Sequence, residues 1–77
     1  MTNFTSQIDV RKFAPKDKQA NIFSTWNNLK QGEKMELIND HDPKPLYYLF
    51  SSEYAGLFTW DYLEEGPDVW RVAITKQ

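Results

Sequence analysis

Apolar residues recur along the chain with two periods, and the changes between those periods lay out the elements. Gln7-Ile8-Asp9-Val10-Arg11 alternates, which predicts a short strand with Ile8 and Val10 on one face and Asp9 and Arg11 on the other. Ala14-Pro15 breaks the alternation. From Lys16 to Lys30 the residues Ile22, Phe23, Trp26 and Leu29 fall on one helical stripe, and Gln31-Gly32 closes it. Lys34 to Asn39 alternates again, with Met35 and Leu37 against Glu36 and Ile38. Leu57 to Leu63 sets Phe58, Trp60 and Tyr62 against Thr59 and Asp61, while Val69 to Thr75 sets Trp70, Val72 and Ile74 against Arg71 and Ala73. Glu64-Glu65-Gly66-Pro67-Asp68 between them reads as a hairpin loop.

A second helix, from Pro43 to Tyr54, follows from Leu46, Leu49, Phe50 and Tyr54 at helical spacing, with Gly56 as its stop. Its entry is the turn Asn39-Asp40-His41-Asp42-Pro43-Lys44. A short acidic side chain can accept from the unpaired N–H groups of a first helical turn, and proline has no N–H to leave unpaired there. Asp42 is therefore expected as the N-cap, with Pro43 as the first helical residue. Backbone donors, a positive helix end and the chain's one histidine would then share a single turn.

The element order is β-α-β-α-β-β. A right-handed crossover puts successive helices on the same side of the sheet, so the expected fold is an α/β (α+β) two-layer sandwich, two helices on one face of a four-stranded mixed sheet. The other face would carry Asp9, Glu36, Asp61 and Arg71, a mixed-charge surface suited to solubility, with Arg71 near Glu36 or Asp61.

Composition narrows the chemistry. A chain of 77 residues, 40% hydrophobic, makes one domain (1–77, core 7–75), and a domain of this size buries only about 60% of its unfolded surface. With no cysteine there is no disulfide, no thiolate metal site and no cysteine catalysis. Nine basic residues against eleven acidic ones give no field for nucleic acid. Met1-Thr2-Asn3-Phe4-Thr5 lacks the basic and apolar regions of a secretory signal, and no apolar run approaches a membrane span, so a cytoplasmic protein without nucleic-acid or membrane partners is expected.

Three blocks of sequence are distinctive: Ile8-Asp9-Val10-Arg11, Asn39 to Leu46, and Phe58-Thr59-Trp60-Asp61-Tyr62-Leu63-Glu64-Glu65-Gly66-Pro67-Asp68-Val69-Trp70-Arg71-Val72. Together they closely resemble the domain-of-unknown-function family numbered 2249, over about residues 8 to 75. That family resembles in fold the sulfur carriers of the TusA/SirA type, which implies a mixed sheet in strand order 1-2-4-3. Those carriers work through a cysteine before a proline at the start of helix one. Here the positions read Phe13-Ala14-Pro15, so sulfur relay is chemically excluded while Pro15 keeps its use as a helix starter. Members of the family, as the resemblance implies, often stand beside or fused to domains handling iron, oxygen or nitrogen oxides.

Candidate site residues cluster in the second block: Asp40, His41, Asp42 and Lys44. The plain reading has the aspartates capping helix two and His41 held by a hydrogen bond. His41 could also serve a metal or haem, completed by a partner domain, since consecutive residues seldom converge on one ion. Lys44 beside a helix start could hold an anion, against the local charge of Asp40 and Asp42. A general base would pair His41 with Glu64 or Glu65. Trp60, Tyr62 and Trp70, with Met35, could line a pocket or simply fill the core, and the outward member of Tyr47-Tyr48 could mark a contact surface. The leading expectation is a non-enzymatic accessory or interaction domain with a protein partner. Its alternative is a small-ligand or metal/haem-binding protein of redox or nitrogen-oxide metabolism acting through His41.

Overall fold

The elements form in the expected order. The computed structural model describes residues 4–77, and the lead-in at residues 1–3 lies outside the described residues. The strands are β1 (Ser6–Asp9), β2 (Lys34–Asn39), β3 (Phe58–Glu65) and β4 (Trp70–Lys76), and the helices are α1 (Pro15–Asn27) and α2 (Lys44–Glu53). The sheet order is β1-β2-β4-β3, with β1 parallel to β2 and the other pairs antiparallel. Both helices pack on one face, over Ile8, Met35, Leu37, Val72 and Ile74, and contribute Ile22, Trp26 and Phe50 to the same core.

Phe50 is at the centre of that layer. Its ring stacks on Phe23 at 5.1 Å and meets Trp26, Phe58 and Trp60 edge-on at 5.1, 5.4 and 6.0 Å, so α1, α2 and β3 all converge on it. Leu29 is buried as expected, although α1 ends before it, at Asn27. Lys76 Nζ replaces the missing turn, donating to the Trp26 and Leu29 carbonyls at 2.9 and 2.8 Å while lying over the Trp26 ring.

Several boundaries differ from the sequence pattern for identifiable reasons. The strand expected to reach Arg11 stops at Asp9, because the Asp9 carboxylate accepts from the Arg11 N–H at 3.1 Å and starts a 3₁₀ turn over Val10–Lys12; Val10 still reaches the core. Glu64 and Glu65, expected in the hairpin loop, belong to β3. A bulge between Tyr62 and Glu64 then shifts the alternation, so that Glu64 pairs with Arg71 and Glu65 with Trp70. The turn proper is closed by the Gly66 N–H on the Val69 carbonyl at 2.8 Å. Gly66 has φ +60°, and a Cβ there would stand 2.7 Å from the Trp70 indole, so glycine alone suits it.

Arg71 lies beside Glu36, as its place on the open face requires. The surprise is Glu36 itself, expected in solvent but only 3% exposed. Its carboxylate accepts from Gln7 Nε2 at 2.6 Å and from Arg71 Nε at 2.5 Å, and Arg71 also approaches Glu64 at 3.9 Å, so one polar row crosses all four strands. Flanking side chains cover a central-strand position even where no helix does. Replacing Arg71 with alanine should leave a buried carboxylate with one neutral donor and cost about 1–3 kcal/mol in chemical denaturation, less than for a fully buried pair because the guanidinium is partly open to water. A cost below about 0.5 kcal/mol would mean that water reaches Glu36.

Candidate functional site

Because β1 and β2 run parallel, their C-terminal ends and the starts of the helices that follow them lie at one end of the sheet. An open groove of about 250 Å³ forms there between α1 and α2. Val10, Ile22, Leu46 and Leu49 make its apolar part, and Lys18, Gln19, Asn39 and His41 its polar part. Buried Asn39 sets the turn, its Oδ1 accepting the Asp40 N–H at 2.8 Å.

His41 is 64% exposed at its side chain, and its Nδ1 lies 2.7 Å from Asp40 Oδ1. A carboxylate can only accept, so Nδ1 is the donor in that contact and, in the neutral ring, Nε2 is left as an acceptor, with no partner among the described residues. The same hydrogen bond is the largest of the effects holding the Asp40 carboxyl below its ordinary range; the field of Lys18 across the groove adds to it, and desolvation opposes it. Glu64 and Glu65 make no hydrogen bond or ion pair with His41 among the described residues: Glu64 faces Arg71, and Glu65, though at the same end of the sheet, is set off from the His41 turn by the width of β4, where it pairs with Trp70. Among the described residues no three His, Asp or Glu side chains gather around a cation position.

Asp42 and Lys44, expected to share a site with His41, turn away from it. Asp42 does not cap α2: the N-cap is Pro43, without a side-chain bond, and the proline inside the first turn is Pro45. The Asp42 carboxylate instead accepts from the Tyr62 hydroxyl at 2.7 Å, a partner twenty residues on in sequence and therefore invisible to local pattern. Lys44 faces a second groove with Tyr47, Tyr48, Trp60 and Tyr62. The helix α2 thus divides the predicted site, its Leu46 and Leu49 side lining the His41 groove and its Tyr47 and Tyr48 side the aromatic one.

Lys18 and Gln19 were absent from the sequence-based site. The signal that could have found them is topological, the parallel β1–β2 pair that brings the start of α1 beside the β2–α2 turn. Trp70, half-buried against Gly66 and Tyr62, is not part of the His41 groove.

Burial raises the Tyr62 phenol above its ordinary value of 10.0, donation to Asp42 raises it further, and the Trp60 N–H pulls the other way. That indole N–H is shielded from solvent and completes no hydrogen bond of its own. The folded phenol holds its proton longer than the unfolded one, so folding stability should fall as pH rises past the unfolded value. Phenolate absorbance should show Tyr62 ionising later than a free tyrosine, and Asp42→Asn should bring it part of the way back, since burial remains. An unchanged titration in that variant would rule out the Asp42–Tyr62 contact.

A family model described as Uncharacterized conserved protein (DUF2249) matches residues 7–76. No curated protein and no solved structure matches the chain.

Proposed function

The chain belongs to the DUF2249 family, and from that premise we propose that it is a non-catalytic accessory domain that engages a protein partner through the groove at His41. The observation that carries this reading is the Asp40-oriented imidazole, whose acceptor Nε2 stands at the rim of an apolar groove with Lys18 in the opposite wall. At about 250 Å³ and open to solvent, the groove is small beside the roughly 300–1,000 Å³ of sites that enclose a whole ligand. It suits one inserted side chain, with an apolar body against Ile22, Leu46 and Leu49 and a hydrogen-bond donor for Nε2.

A second reading rests on the same contact. A carboxylate on Nδ1 is the usual support of a histidine that binds metal through Nε2, so His41 could supply one ligand to an iron or haem carried by a partner domain. The remaining ligands would have to come from that partner.

One comparison tests both. A photoreactive residue at Gln19 should give partner adducts in cells that His41→Ala abolishes, without a change in the denaturation midpoint, because the imidazole is exposed. Adducts that persist in His41→Ala would remove the groove from recognition. Titration with zinc, ferrous iron and haem, followed by backbone resonances, decides the second reading: shifts centred on residues 40–46 that vanish in His41→Ala would favour a metal-linked role, and their absence would leave the protein partner.

A further inference from the structure

Of the large apolar residues that the described structure leaves exposed, all but Phe13 lie on α2, on β3 or in the link between them: Tyr47, Tyr48, Leu57, Tyr62 and Leu63. The cause is geometric. β3 is the sheet's outer strand beside β4, and α2 covers only its first half, where Tyr47 and Phe50 meet Phe58 and Trp60, so Tyr62 and Leu63 farther along the strand stay exposed. Two shallow grooves result, of about 290 and 360 Å³, joined through Tyr47 and Trp60 and running along the strand from Phe58 to Tyr62.

The backbone of β3 is open as well. Among the described residues it pairs only with β4, which leaves outward N–H and C=O groups along eight residues without a proline. Charge distinguishes this edge from a merely sticky one. Asp61 and Glu65 make no ion pair among the described residues, Asp42 stands behind Tyr62, and Arg71 is already committed to Glu36 and Glu64. Lys44 is the cation of the aromatic groove and offsets only part of this negative strip.

We propose that the β3 edge is a docking strip for an extended, basic segment of a partner protein, which adds to the sheet as a further strand. Alternate side chains of the segment lie in the groove between Tyr47 and Trp60, where apolar groups pack on the rings and lysine or arginine side chains meet aromatic faces. The others meet Asp61 on the open face, and Glu65, at the end of the strand, meets the segment where it leaves the strip. The acids also give the edge its selectivity: a second copy of this chain would bring its own acidic strand to the same strip, which like-charge repulsion disfavours. This surface lies across α2 from the His41 groove, so the two readings stand or fall separately.

The test is a titration of the purified domain with a short synthetic peptide alternating lysine and valine, alongside one alternating glutamate and valine. Amide shifts should fall on residues 58–65 and on the Trp60 indole, the glutamate peptide should not bind, and Asp61→Lys with Glu65→Lys should weaken the lysine peptide by about tenfold or more. Both substitutions are at exposed positions, and an unchanged β1 spectrum, two strands removed from β3, verifies folding. The proposal is overturned by equal binding of the glutamate peptide, by undiminished binding in the reversed variant, by shifts on β1 or the His41 groove instead, or by no shift at millimolar peptide.

Discussion

Both helices and the outer strand are held to one another through Phe50. Its ring touches aromatic side chains from α1 and β3 while its own helix is anchored at the other end by the β2–α2 turn. In a domain this small, with total stability on the order of 4–12 kcal/mol, a fully buried phenylalanine whose truncation costs about 3–5 kcal/mol is a large share of the whole. The position of α2 is therefore strongly determined, and with it the two grooves that α2 separates.

That placement gives the surface its division of labour. The Leu46 and Leu49 side of α2 closes an apolar groove against α1 under an imidazole whose tautomer is set by Asp40. The Tyr47 and Tyr48 side overhangs β3 and leaves its aromatic row half-covered. Asp42, through Tyr62, ties the turn to the strand, so the two sides share one support. No described helix is long and apolar enough to cross a membrane.

Much of the frame was legible in the sequence because it is written in periodicity. Met35 and Leu37, Ile22 and Trp26, and Val72 and Ile74 alternate or recur as their elements demand, and they form the core. The parts that periodicity missed depend on contacts between distant residues. Glu36 reads as a solvent position by alternation, yet Gln7 and Arg71 from neighbouring strands bury it. Asp42 has the chemistry of a cap, but a tyrosine hydroxyl competes for its carboxylate and prevails. The geometry of the candidate site was half legible: Asp40 and His41 are hydrogen-bonded to each other, whereas Lys44 lines the groove on the other side of the helix, and Lys18 enters only once the parallel strands are known.

Recognition through the His41 groove requires that Asp40 hold the imidazole with Nε2 free to bind. Long-range nitrogen–proton correlation spectra of the imidazole at neutral to mildly basic pH test it most directly. In the neutral ring the proton should sit on Nδ1 and leave Nε2 bare, and that preference should be lost in Asp40→Asn. A ring protonated at Nε2, unaffected by that substitution, would contradict it and leave the groove without its acceptor.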